Sequence, residues 1–172
     1  MKRIVVAVVA VLLVVVLGAG AYTQLYLPSQ RDILTGAPPA SAGKLEKLTA
    51  EPLRSQPPAD RERFSTALHD AVATIKPDYR IENEELYVRR GGYDWAAVRN
   101  LTGDYLSSEF GFSESADAQA EVGGETVDYL VWQAGWLRRP FDDRVVVAVA
   151  LRTLLEPDYG TMVFGYFVMR PE

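Results

Sequence analysis

Eighteen consecutive residues near the start of the chain, Ile4 to Ala21, read IVVAVVAVLLVVVLGAGA and carry neither a charge nor a strong hydrogen-bonding side chain. As a helix they span about 27 Å, at about 1.5 Å per residue, close to the roughly 30 Å of a bilayer's hydrocarbon core. Tyr22, Leu25, Tyr26 and Leu27 extend the apolar character by about a turn, and tyrosines suit the membrane–water interface. Lys2 and Arg3 precede the run. Positive charge stays on the cytoplasmic side, so the remainder of the chain is expected outside the cytoplasm.

Two readings of this segment compete. A secretory signal peptide has a basic start, an apolar core of roughly 7–15 residues and a small-residue cleavage site. Ile4 to Leu17 fits the core, and Ala19-Gly20-Ala21 fits the site, with cleavage after Ala21 and a secreted product. The continuation through Leu27 favours an uncleaved signal anchor over residues 1–27, in the lipid bilayer through residues 4–27. An unbroken run of this length suits a buried soluble helix less well. With no cysteine in the chain, lipid attachment through an N-terminal Cys is closed, as are disulfides, thiolate metal sites and thiol nucleophiles.

Residues 28–59 read as a Pro/Ala-rich flexible linker. They hold six of the ten prolines, namely Pro28, Pro38, Pro39, Pro52, Pro57 and Pro58. Proline removes backbone donors and blocks regular helix and central strand. The one periodic piece, Lys44 to Leu48, is too short to be a stable helix alone. Charge is uneven along the chain. Residues 60–172 carry twelve basic and twenty acidic side chains, whereas the whole chain has net charge −5. So acidic a domain is poorly matched to phosphate-neutralising nucleic-acid binding, and no nucleic-acid partner is expected.

Residues 60–172 suffice for a self-contained core. Asp60 is a candidate N-cap, and Phe64, Leu68, Ala71, Val72 and Ile75 form one helical stripe that Pro77 ends. Tyr79 to Arg90 suggests one or two short strands, with a hairpin about Asn83-Glu84. Asp94 is placed to cap a second helix through Trp95, Val98, Leu101, Thr102, Tyr105 and Leu106, and Gly111 to stop it. A polar stretch follows from Ser113 to Glu125. Strands are expected at Val127–Trp136, Val145–Leu154 and Thr161–Arg170, joined through Arg138–Arg144 and a turn at Glu156–Gly160. The expected fold is α+β: a transmembrane helix, a linker, then a small two-layer domain with both helices on one face of an antiparallel sheet that ends in a three-stranded meander. Val145–Leu154 is apolar on both sides. Either its own chain covers both faces, or one face meets a partner.

No catalytic, cofactor-binding or metal-binding residue is assigned. His69, the only histidine, lies off the buried stripe and reads as a solvent-facing or boundary side chain; as a base it needs a nucleophile and an acid from distant segments. Glu82, Glu84 and Glu85 read as a solvated loop, since calcium sites need more oxygens and a turn-forming glycine. Gly123-Gly124 reads as a turn, because no helix start with Lys-Ser/Thr follows it. Ser113, Glu114 and Ser115 match no fixed catalytic spacing. Asp142-Asp143 and Arg138-Arg139 read as solvated loop charges. Tyr93, Trp95, Trp132, Trp136 and Tyr159 could stack sugars, although aromatics at such spacing more often build core. Zinc spacings, nucleophile elbows, phosphate loops and dinucleotide fingerprints are absent from the sequence. The expected function is therefore a membrane-tethered extracytoplasmic accessory or protein-interaction domain without catalysis, with an envelope protein as possible partner. The alternative is an envelope-acting enzyme or a glycan- or lipid-binding protein.

Overall fold

The computed structural model describes residues 2–22, 33, 50–90, 92–156 and 159–172. Among them are three α-helices, α1 Lys2–Ala21, α2 Pro58–Ile75 and α3 Trp95–Tyr105, and six strands. The strands are β1 Ala50–Pro52, β2 Tyr79–Arg90, β3 Phe112–Val122, β4 Glu125–Ala134, β5 Val145–Glu156 and β6 Tyr159–Pro171. They form one antiparallel sheet in the order β1-β2-β6-β5-β4-β3. The fold is thus α+β. Leu12 to Leu17 of α1, and Tyr22 just after it, are exposed. Among the described residues no helix is long and apolar enough to cross a membrane.

The middle of the sheet follows from β5. Val145, Val147, Val149 and Leu151 point to one side, where they join Phe64, Leu68, Ala71 and Val72 of α2 in a buried cluster. Val146, Ala148 and Ala150 point to the other side and join Val98 and Leu106, at and just after α3, together with Trp132, Phe164 and Tyr166. The two helices therefore lie on opposite faces, and the domain has three layers where the sequence suggested two. A strand with no polar face requires cover on both sides, and one helix per side supplies it. Packing on the α2 face also demands Gly165. A Cβ there would stand 2.7 Å from Leu86 Cδ2 and 2.8 Å from the Phe167 ring.

Local signals set several boundaries. Asp94 caps α3, accepting from the Ala97 amide at 3.0 Å. After a π-helical turn at Leu106–Phe110, Gly111 stops the helix with φ 62°, a left-handed conformation that glycine adopts without strain. Gly123 and Gly124, both at positive φ, make the tight β3–β4 turn that such a pair favours. Helix α2 starts earlier than expected, at Pro58. Proline fits the first helical position because its missing N–H lacks an intrahelical acceptor there anyway. Asp60 falls in the first turn, where its charge complements the helix dipole.

Three other expectations change. Tyr79–Arg90 is one continuous strand with a register shift between Ile81 and Asn83, and no hairpin forms at Asn83-Glu84. Ser113–Glu125 is mostly strand β3, so the meander has four strands, β3 to β6. Parts of the stretch read as linker also belong to the fold: Ala50–Pro52 pairs with Tyr87–Arg89, and Leu53 and Ile33 are buried. The periodic piece Lys44–Leu48 and Pro157-Asp158 of the β5–β6 turn lie outside the described residues.

Several polar groups on the α3 face are paired, whereas the buried Trp95 Nε1 has no hydrogen-bond partner among the described residues. Tyr93 and Gln119 donate to the buried carboxylate of Asp128, the latter at 2.6 Å. Thr102 donates to the buried Tyr166 hydroxyl at 2.9 Å. Burial pushes the Tyr166 phenol well above its usual range, against a smaller opposing effect of the Thr102 hydrogen bond. Burial, reinforced by Glu85, does the same at Tyr87.

Two predictions follow from this packing. Val149→Asp places an unpaired carboxylate under α2, where its desolvation has no compensation; a urea titration of the variant should show no cooperative transition. Wild-type stability should hold up to about pH 10 and fall above it, because tyrosines ionise near there in the unfolded chain while the folded state holds the protons of Tyr87 and Tyr166. Denaturation midpoints measured between pH 8 and pH 11 should drop, and Tyr87→Phe should flatten that drop. A flat wild-type profile rejects the argument.

Candidate functional site

A cleft of about 380 Å³ opens at the edge of the sheet where β1 ends. Strand β1 covers β2 only at Tyr87–Arg89. Pro52 closes the pairing, and the chain turns through a 3₁₀ turn, Leu53–Ser55, toward α2. The outer edge of β2 at Glu84–Leu86 is left without a strand neighbour among the described residues. Pro52, Leu53 and Arg54 form one wall, Arg61 and Ser65 of α2 a second, and Glu84, Glu85 and Leu86 the floor. Leu53 is buried beneath and anchors the turn against α2.

Both carboxylates of this cleft lie against a polar side chain. Glu84 Oε2 sits 2.7 Å from His69 Nε2, and the Tyr87 hydroxyl donates to Glu85 at 3.3 Å. The Arg54 and Arg61 guanidinium groups have no hydrogen-bond or ion-pair partner among the described residues. Two free cations on adjacent walls suit the anionic group of a small ligand. The volume lies at the low end for small-molecule sites.

His69 stands at the boundary of the α2 face, its side chain 38% exposed and its ring edge-on to Phe167 at 5.6 Å. Nδ1 lies 2.7 Å from the Ser65 carbonyl and 3.3 Å from the Ser65 hydroxyl. Serine, histidine and glutamate are thus in line, but the arrangement suits anchoring better than nucleophilic catalysis. A base must offer Nδ1 as an acceptor to the hydroxyl, yet the carbonyl at 2.7 Å calls for a proton on that nitrogen. Ser65 also lies inside α2, where neighbouring amides bond within the helix and leave no oxyanion-stabilising pair. His69 instead joins α2 to β2 through Glu84.

The other residues singled out in the sequence are dispersed. Trp132 is buried, Trp95 packs partly buried beside the α3-face cluster, and Trp136 is exposed on the β4–β5 loop, so these three do not form a sugar platform. The side chain of Tyr159 is not among the described ones. Asp142 is buried rather than solvated, accepting from Arg144 at 2.7 and 2.8 Å. Asp143 remains exposed, 3.6 Å from Arg170. Arg138 folds back on the Phe110 carbonyl, while Arg139 stays exposed. Glu82 pairs with Arg170 at 2.8 Å, and Glu114 with Arg99 at 2.6 Å. No group of three or more acidic or histidine side chains is placed to hold a metal among the described residues. Arg54 and Arg61 were missed in the sequence reading because each is an ordinary surface arginine until the fold brings the two to one cleft.

Comparison with known proteins gave no match to a family model, a curated protein or a solved structure.

The anchoring role of His69 is measurable. His69→Ala should cost about 0.5–1 kcal/mol in a urea titration, the range of a part-exposed side-chain hydrogen bond. Glu84→Gln should cost a similar amount, and the double variant less than the sum. Strict additivity would show that the pair is not coupled.

Proposed function

We propose that the protein is a membrane-tethered extracytoplasmic accessory domain that works by interaction and not by catalysis. The observation that carries this reading is the run Ile4–Ala21, with Lys2-Arg3 on its N-terminal side and a folded α+β domain on its C-terminal side. Two features of the domain support it. The Ser65, His69 and Glu84 array has the bonding of a structural strut. The exposed apolar side chains outside α1 concentrate on one loop, where Trp136 is 81%, Leu137 56% and Phe141 51% exposed. Apolar groups gathered in this way mark interaction surfaces.

Arg54 and Arg61, unpaired among the described residues, favour a second reading, in which the cleft takes a small acidic glycan or lipid fragment. The two readings are compatible: a tethered accessory domain can carry a ligand cleft.

Fractionation of cells tests the first reading. The protein should stay in the membrane after alkaline carbonate extraction, and protease added outside the cytoplasmic membrane should digest residues 50–172. A soluble mature product beginning at Tyr22 would replace the anchor with a cleaved signal. For the second reading, an acidic saccharide or lysophosphatidic acid that raises the melting temperature should lose that effect in an Arg54→Ala/Arg61→Ala variant. An unchanged shift in the double variant removes the cleft from consideration.

A further inference from the structure

We infer that the β4–β5 loop, residues 135–144, inserts its Trp136, Leu137 and Phe141 side chains into the interface of the same bilayer that holds α1; this rests on the anchor reading above. Three observations converge. The first is the loop itself. Its backbone is closed by Arg138 and Arg139 amides donating to the Gly135 carbonyl and by Phe141 and Asp142 amides donating to that of Arg138. The Arg138 side chain ties it to the Phe110 carbonyl, and the buried Asp142–Arg144 pair secures its far end. A loop fixed at three points presents its large apolar side chains outward, and it holds them there against the ordinary tendency to bury them. Tryptophan, leucine and phenylalanine beside the exposed Arg139 are the side chains that suit a headgroup–acyl boundary.

The second observation is where the tether reaches the domain. Ile33 is buried in the α3-face cluster, and its carbonyl accepts from the Asn83 side chain at 3.1 Å. Asn83 is level in the sheet with Val168, Val146 and Trp132, and the loop begins just beyond Trp132. The chain therefore meets the domain at the loop end of the sheet. Only ten residues lie between Tyr22 and Ile33; the fully extended stretch reaches at most about 40 Å. The third observation is the opposite end. There the β3–β4 turn is flanked by the exposed Glu121 and Glu125, and β1 starts beside Arg89. At the end where Ile33 joins the domain the loop thus presents three exposed apolar side chains, with Arg139 and Asp143 beside them, whereas the β3–β4 turn at the other end presents two glutamates and no large apolar side chain. This ordering favours the bilayer over a protein partner as the occupant of the loop.

The absence of cysteine from the chain allows a unique label. Full-length Leu137→Cys and Glu125→Cys variants, each carrying an environment-sensitive fluorophore, are reconstituted into phosphatidylcholine vesicles containing a nitroxide lipid. Flotation after alkaline extraction reads the anchor, and quenching reads the loop. Circular dichroism checks that both labelled proteins are folded. The expected result is that both variants float, and that position 137 emits at shorter wavelength and is quenched several-fold more than position 125. Adding Trp136→Ser and Phe141→Ser to the Leu137→Cys variant should bring its quenching down to that of position 125 without affecting flotation. A floating protein with equal quenching at both positions overturns the insertion and leaves the anchor standing. So does a label at 137 that is shielded from aqueous iodide yet untouched by the lipid quencher, because protein then covers the loop. A protein that fails to float overturns the anchor and the insertion with it.

Discussion

The structure depends on a strand with no polar face. Residues 145–151 of β5 are buried, three or four side chains on each side, and so many apolar groups cannot face water on either surface. The chain meets this demand by placing α2 before β2 and α3 after it, one on each side. Strand β2, between them in sequence, pairs with the short β1 on one side and with the sequence-distant β6 on the other. The α2 face is filled mainly by valine, and its close approach of Leu86 to β6 is possible only over Gly165. The α3 face carries the larger aromatics Trp132, Phe164 and Tyr166, with Tyr87 stacked on Phe164 at 5.4 Å. The first layer is built mainly of small aliphatic side chains; the second is built of larger ones and admits a few polar groups, among them the paired Thr102, Tyr166 and Asp128.

Sheet edges explain what the sequence concealed. A half-buried strand announces itself by alternation, but β3 is an edge strand and is mostly exposed on both sides from Ser113 to Gln119. Its polar sequence therefore resembles a loop, and its Glu114 and Asp117 give the edge the charge that discourages pairing with another chain. Strand β2 read as one or two short strands because its N-terminal half lies near the other edge and buries little, whereas Tyr87 and Val88 are covered by β1 and the core. The central strands β5 and β6, the α3 cap at Asp94 and the stop at Gly111 were legible because each rests on local chemistry. Which face each helix takes was not legible, since that depends on pairing between β2 and β6 across about eighty residues.

The cleft was illegible for a related reason. Its walls come from residues 52–54, 61–65 and 84–86, and no periodicity links three segments that meet only after the chain turns at Pro52. His69 was legible as a boundary residue from its helical angle. Its partner was not, because Glu84 is brought to it by the packing of α2 on the sheet. The resulting Ser65–His69–Glu84 line shows why residue types alone do not define a catalytic site. The order of groups resembles a relay, but the Ser65 carbonyl competes for the nitrogen that would have to accept the hydroxyl proton, and the helix occupies the amides that would stabilise an oxyanion.

The burial of Ile33 changes what the proline-rich stretch does mechanically. A tether free along its whole length lets a domain wander and turn through a distance that grows as the square root of residue number. Fixing residue 33 to the domain divides the stretch in two, and only the shorter piece, from Tyr22 to Ile33, sets the distance and orientation of the domain relative to α1. The longer piece joins two points that the domain itself holds, Ile33 at the level of Asn83 and Ala50 at that of Arg89. Lengthening or cutting the two pieces therefore has different consequences: the first alters the distance between α1 and the domain, while the second alters only the return of the chain to β1. Ile33 is in this respect a structural residue of the domain, and its burial on the α3 face couples the cover of the sheet to the position of the tether.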